Sequence, residues 1–459
     1  MHRREFIVSS AAVLASCAVP SLFASAAGSG PWPPGTPDFF SRFPACTAFD
    51  TKVPVIRLAA GRIIHRFFDT SPISPSGRYV GLFRLPNENE KPQPGQTGDV
   101  VLVDLQTAKE RTLAQTRGWE TQMGANVQWG KTDADLFFND VDTATWTPFA
   151  VHFNPQTGSS RRLEGTVFTV SPDGTQLTSY NLASSRLIQV GYGVVLPDDH
   201  TPRNQGPVDN DGLFVTDIAT GKSRMIASIR DIYERAVPDL HIENADRYEY
   251  YCFQIRWNPQ GTRVMAFLRW ADPTGPKGGK RLLTLVTMKP DGSDIRLAVT
   301  PEQYGRGGHH PMWTPDGEHI TLNLNIREEN VSRNLDLVQV RYDGANLHSI
   351  HDIGSGHPST HRTYPFIITD AYPHERVCRG DGTAPLRLID LRSRTEVALA
   401  HVNLTRSESP NLTSEFRTDA HPVWDPTGRF VVFNGIENDT RCVYLADVGP
   451  YLENAMKQT

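Results

Sequence analysis

Short runs of alternating apolar residues, each bounded by Pro, Gly and Asp, recur along most of the chain. Examples are GRYVGLFR (77–84), DLFFND (135–140), TRVMAFLRW (262–270), EHITLNLN (318–325) and GRFVVFNG (428–435). A period of two between turn signals predicts strands paired as hairpins. A related turn precedes several of these runs: WNPQG (257–261), WTPDG (313–317) and WDPTG (424–428), with SPSG (74–77) and SPDG (171–174) as shorter relatives. A second strand pair follows each run, as in VVLVDLQTAKERTLA (100–114), GLFVTDIATGKSRMIA (212–227) and LRLIDLRSRTEVALA (386–400). Each unit thus predicts four strands, A to D.

First halves of such units fall near residues 72, 127, 169, 255, 311, 358 and 422. Periodic four-strand units of this length predict an all-β fold, a seven-bladed β-propeller of four-stranded antiparallel blades. The widest gap contains LIQVGYGVVLPDDHTPRNQGPVDNDG (187–212), read as an insertion between strands B and C of the third blade. The last unit ends at VYLADV (443–448) without a D strand, and the N-terminal VPVIRL (53–58) is the strand expected to close the ring.

Strand A lies innermost in a propeller, so the residue three before each Trp, or before its counterpart, should line the axis. Around the ring this position reads Thr70, Asn126, Val167, Gln254, His310, His357 and His421. Three adjacent blades supply a His, each followed by Pro. Neutral imidazole is the commonest protein metal ligand, so His310, His357 and His421, with the amide of Gln254, form a candidate divalent-metal site. Mixed nitrogen and oxygen ligation suits Mn, Zn, Ni or Fe better than Mg. The ends of the B strands are polar and should meet at the same mouth: Arg84, Asn139, Arg269, Asn325, Asp370 and Asn434. Nearby segments add Arg306, His309, Tyr372 and His374. Polar groups converging on a propeller mouth predict a binding site.

Composition narrows the field. The 459 residues carry a net charge of −5 with no Lys/Arg cluster, which argues against a nucleic-acid partner. Residues 1–26 read as an export signal of the twin-arginine type, with Arg3-Arg4, a modest apolar run and a small-residue cleavage site at 24–26. This predicts a periplasmic or secreted protein, with lipid anchoring at Cys17 as the alternative. No later run approaches the ~20 apolar residues of a membrane helix. Residues 27–50 read as a linker, 51–452 as one propeller and 453–459 as a tail. Cys46, Cys252, Cys378 and Cys442 show no C-x-x-C spacing, and Cys46 with Cys442 is the one pair considered for a disulfide. No phosphate-binding glycine loop, GxSxG elbow or HExxH helix is present.

The turn repeats are similar to those of TolB-type propellers. The HP-x-W copies, above all RTDAHPVWDPTGRFVVFNG (417–435), resemble the oligogalacturonate lyase family of seven-bladed polysaccharide lyases. That resemblance implies a metal, typically Mn, held by several His and one Gln and engaging a uronate carboxylate; Mn is thus the ion expected here, with Zn, Ni, Fe or Ca as alternatives. It also implies a His base for β-elimination and an acidic oligosaccharide or polysaccharide substrate. His310 and His421 match the family's metal positions, while Asp419 stands where the family has another His. Gln254 occupies the place of the family's catalytic His, so the base has to come from elsewhere.

Removing the C5 proton of a uronate requires stabilisation of charge on its carboxylate, a base, and a donor for the departing O4. Arg269 and Arg306 are candidates to hold the carboxylate, and His309, His361 and Tyr372 to move protons. Arg84, Asn139, Asn325, Asp370 and Asn434 are the candidate substrate binders. Two other functions compete: a non-catalytic TolB-like propeller binding protein or glycan, and a glycoside hydrolase, which requires two carboxylates flanking the sugar.

Overall fold

A computed structural model describes residues 37–186, 188–275, 282–327, 335–407 and 415–457. The expected signal at 1–26 and Cys17 lie outside the described residues. Seven four-stranded antiparallel sheets form the blades, with strands A to D running outward from the axis. Blade 1 is built from Ile63–Ile64, Tyr79–Arg84, Gly98–Asp104 and Lys109–Thr116. Blades 2 to 6 start their A strands at Gln128, Thr169, Glu249, Gly308 and Ser359. Blade 7 takes strands A to C from Val423–Trp424, Phe430–Glu437 and Thr440–Asp447. Its outermost strand is Val55–Ala60, which pairs with Thr440–Asp447 and closes the ring as expected.

The recurring Trp-x-Pro-x-Gly turn has a physical reason. Gly317 and Gly428 sit at φ of 70° and 73°, where a side chain is disfavoured, and their amides donate to Thr314 and Asp425 to close the turn. The Trp ahead of the turn stitches neighbouring blades together. Trp129 Nε1 donates to the Pro72 carbonyl (2.8 Å) of the preceding blade, and Trp313 to Arg256 (3.3 Å) and Trp424 to Ser359 (3.0 Å), both on the inner strand of the preceding blade. The Trp rings are therefore part of the ring seam, and Trp129, Trp313 and Trp424 are buried.

The stretch expected to be a linker is partly structured. Residues Asp38–Arg42 form a short 3₁₀ helix, and Phe40 and Phe43 join a core cluster with Leu58, Val80 and Val432. The expected tail belongs mostly to a helix, Gly449–Lys457, anchored by buried Leu452. All four described cysteines are free thiols, so Cys46 and Cys442 form no disulfide. No described helix is long and apolar enough to cross a membrane.

A second seam explains several polar B-strand ends. Asn139 is wholly buried and its amide both accepts from Val167 N (2.7 Å) and donates to Val167 O (2.8 Å) of the next blade. Asn434 accepts from His65 N (3.0 Å), Asn323 donates to Gly356 O (2.8 Å) and Asp370 accepts from His421 N (3.1 Å) in the same manner. Each ties one blade's B strand to the next blade's inner strand. Removing such a side chain leaves a buried peptide group without partners, at about 1–3 kcal/mol each. Asn139→Ala should therefore cost about 2–3 kcal/mol in urea unfolding while leaving ligand binding intact.

Candidate metal centre

The position three before each Trp is a bulge as well as an inward-facing site. Asn126, Gln254, His310 and His421 all have left-handed backbones, with φ of 56°, 54°, 57° and 48°. The strand register slips at these points, between Phe253 and Arg256 and between His309 and Met312. A bulge re-aims a side chain at a local strain cost of order 1–3 kcal/mol, and such outliers gather at functional sites. In blade 6 the left-handed residue is Gly356, φ 64°, one residue before His357. A Cβ there would lie 2.1 Å from the Asp370 carbonyl oxygen, so only glycine lets His357 approach Asp370.

Three of the expected imidazoles come together. His310 and His357 stack with centroids 3.8 Å apart, and His357 meets His421 edge-on at 4.3 Å. His357 and His421 are at most 1% exposed. The His357 Nδ1–H donates to Asp370 at 2.9 Å, which directs Nε2 away as a lone pair. Carboxylate-oriented imidazole of this kind is the usual second-sphere arrangement of metal-binding His. His357 Nε2 and both ring nitrogens of His421 are buried without a hydrogen-bond partner. Asp419 completes a cluster whose candidate ligand atoms, one each from His357, Asp419 and His421, all lie within 4.8 Å of one another. The Asp419 carboxylate also accepts from Arg417 Nε at 3.0 Å, and Arg417 donates to the Tyr192 hydroxyl at 3.1 Å.

Orphaned nitrogens beside a carboxylate fit a divalent metal: two imidazoles and one carboxylate suit Mn, Fe or Zn. Burial holds His421 well below the usual imidazole range. Burial likewise depresses His310, reinforced by His357 and His309. Both rings are therefore neutral at pH 7, which leaves each a nitrogen lone pair. Burial raises Asp370, but the adjacent His357 ring and hydrogen bonds from His357 and His421 outweigh it and hold the carboxylate ionised.

The remaining expected residues divide sharply. His309 lies beside His310 (Nδ1 to Nδ1, 2.8 Å), and the Tyr372 ring is 5.8 Å from His357 and 6.0 Å from His309. Gln254, expected as a ligand, turns its carbonyl to Arg256 Nη2 at 3.1 Å. His361 is at the seam beside Trp424: Nε2 meets Gly428 O at 3.1 Å and Nδ1 accepts from Thr363 and Tyr364. Both its nitrogens serve a turn, so the structure does not bring it to the His cluster. Arg306 is exposed at the end of helix Pro301–Gly305. Arg269 stacks on Phe253 and Phe267 and donates to Gln189.

The five expected substrate binders are given to the scaffold. Asn139, Asn434 and Asp370 hold neighbouring strands, and buried Asn325 accepts from Arg327 N at 3.1 Å. Arg84 pairs with Glu110 at 2.8 Å and with the Gly61 carbonyl. A chain cannot distinguish, at the level of residue type, an amide that closes a seam from one that greets a ligand. Arg417 and Tyr192 were missed, although Arg417, Asp419 and His421 alternate along one short segment.

The insertion after strand B of blade 3, residues 181–211, covers this end of the ring. Its Gln189 accepts from Tyr251 and Arg269, Tyr192 from Arg417, and its Arg186 pairs with Glu415. Beneath it Glu120 is 1% exposed, with Oε2 accepting from Gly193 N at 2.6 Å and Oε1 unpartnered. Burial raises Glu120 to about 8, so the folded state keeps a proton that the unfolded state releases near its ordinary value. Stability from this group is therefore lost as pH climbs from about 4.5 to about 8. Glu120→Gln should remove that slope: the wild-type Tm falls relative to the variant by roughly 5 °C between pH 5 and pH 8, read by thermal unfolding of both.

Fold and centre together define a seven-bladed propeller with a buried imidazole–carboxylate cluster at its axis. Solved structures share this architecture. An oligogalacturonate lyase in complex with manganese aligns with a TM-score of 0.59 at 14% identity, covering 88% of this chain and 96% of that one. The oligogalacturonate lyase of Vibrio parahaemolyticus aligns at 0.57 and 15% identity, with the same coverage. No family model and no curated protein sequence matches the chain. At such identities the likeness shows the fold.

Proposed function

We propose that this protein is an exported, metal-dependent lyase that cleaves uronate-containing oligosaccharides by β-elimination. The observation that carries this reading is the buried cluster of His357, His421 and Asp419, whose candidate ligand atoms lie within 4.8 Å of one another and whose imidazoles keep unpartnered nitrogens. Support comes from the fold shared with oligogalacturonate lyases, one of them a manganese complex. His357, His421 and Asp419 would hold a divalent ion, Mn in first place, which supplies electrostatic stabilisation for charge developing on a uronate carboxylate.

The hydrogen-bond network supports a choice of proton carriers. His310 Nδ1–H donates to Gly356 O at 2.7 Å, leaving Nε2 as the lone pair. Burial keeps that ring neutral, so His310 Nε2 is the base that takes the C5 proton. His309 Nδ1 accepts from Asn323 Nδ2 at 3.2 Å, which puts its proton on Nε2 and makes it a donor. The Tyr372 phenol, raised well above its ordinary range by burial and then by Asp419, stays protonated. As the C5–H bond breaks, C4=C5 forms, the C4–O4 bond breaks, and O4 takes a proton from Tyr372 or His309. Arg417, held between Asp419 and Tyr192, is the cation this reading gives to a substrate carboxylate. The reading is tested by metal analysis of purified protein and by the ultraviolet absorbance of conjugated product from uronate polymers. Protein that binds Mn and yields no such absorbance from any of them removes the lyase assignment.

A further inference from the structure

The inner strand of blade 1 departs from the other six. Ile64 faces Phe83 and Ile73 faces Val80, so the eight residues 65–72 stand opposite Gly81 and Leu82 alone. Thr70, expected at the axial position, belongs to this excursion, and His65 follows the last regular pair. The loop crosses the central channel. Phe67 and Phe68 are wholly buried. The Phe67 ring meets His421 edge-on at 4.5 Å and His357 at 5.6 Å, while Phe68 lies 5.4 Å from His357 and 5.7 Å from His310.

The loop is fastened from the opposite side of the ring. Arg66, 2% exposed, donates to Asn126 Oδ1 at 3.1 Å and to the Phe168 carbonyl, and pairs with Asp69. Asp69 in turn pairs with Arg256, whose Nη2 donates to Gln254. Blades 2, 3 and 4 thus hold the loop, and the imidazoles of blades 5, 6 and 7 rest on it. Residues 69–71 face a cavity of about 620 Å³ at the other mouth, lined also by Arg256, Trp257, Thr169 and Thr360. One loop therefore closes the floor of the His cluster and parts it from that cavity. The arrangement also accounts for Gln254 and Asn126, which occupy bulge positions but serve the clamp.

We infer that Phe67 and Phe68 are positioning residues for the metal centre: two rings that fix the orientation of His310, His357 and His421 and present a dry, apolar floor. This rests on the metal reading proposed above. Rings held on a face by aromatic contact have few alternative rotamers, and an apolar wall excludes water from beneath a ligand set. Replacing a phenyl by Leu or Met keeps the core largely filled but frees the imidazole edges it braced.

The test uses Co(II) in the full-length protein. Phe67→Leu and Phe68→Met are each expected to weaken Co(II) affinity about tenfold or more and to shift its visible absorption bands. Phe83→Leu, an equally buried Phe between blades 1 and 2, serves as the control for lost packing. It should lower Tm comparably and leave the Co(II) spectrum and affinity unchanged. Wild-type protein that binds Co(II), with both variants matching it in affinity and spectrum, overturns the positioning role and leaves the metal reading intact. Wild-type protein that binds neither Co(II) nor Mn overturns both. An equal loss of affinity in Phe83→Leu also overturns the role, because general loosening then explains it.

Discussion

His357→Ala should empty the centre: bound Mn falls from about one per chain to a trace, and lyase turnover disappears with it. The side chain combines the features a ligand needs, namely a buried unpartnered Nε2, an Nδ1 held by Asp370, and a neighbour in His421 at 4.3 Å. Losing one of three protein ligands removes most of the binding free energy. The outer partner should act in a graded way. Asp370→Asn keeps one acceptor oxygen, which can serve the His357 N–H, but turns an amide NH2 toward the His421 N–H and removes the charge behind the imidazole. Metal affinity should fall about 10–100-fold with the fold retained. Elemental analysis after dialysis, with a competition titration for Asp370→Asn, reads both effects. Unchanged Mn content in His357→Ala contradicts the assignment directly. A ring-wide collapse is not expected, because no Trp seam or Asn seam passes through the His357 side chain.

His310→Ala separates the base from the ligands. His310 stacks on His357 but lies outside the cluster of converging ligand atoms, and its free Nε2 is the lone pair assigned to proton abstraction. The expected result is retention of about one Mn per chain and a fall in kcat of about 10²–10⁴-fold, with KM changed little. Loss of Mn from this variant would instead make His310 a ligand, and His309 or Tyr372 would then have to carry the proton. His309→Ala is the companion measurement: as a donor whose role overlaps that of Tyr372, its loss should cost less than the loss of His310.

Much of the architecture was readable from the chain. Alternation of apolar residues names strands because side chains in an extended backbone point to opposite faces. Recurrence of a related turn at the head of successive four-strand units names a ring because every unit must bury its faces against like neighbours. The missing D strand of the last unit identified VPVIRL as the closing strand. The inward position of His310, His357 and His421 followed from that symmetry. The identity of the partners did not. Asn139 and Asn434 have the same composition signature whether they close a seam or face a ligand, and Asp419 looked like a defect in a His pattern.

Local pattern along the chain therefore specified what repeats: strand, turn, blade, and the axial placement of three imidazoles. Whatever breaks the repeat was settled by packing across the ring, between residues far apart in sequence. Thr70 reads as one more axial position, yet residues 65–72 leave the strand, and polar groups of blades 2 to 4, namely Asn126, the Phe168 carbonyl and Arg256, hold them. That excursion takes Gln254 away from the metal cluster, and Asp419 reaches it from two residues before His421. Periodicity is a short-range property encoded residue by residue, whereas the choice of partner depends on which side chains the closed circle sets face to face.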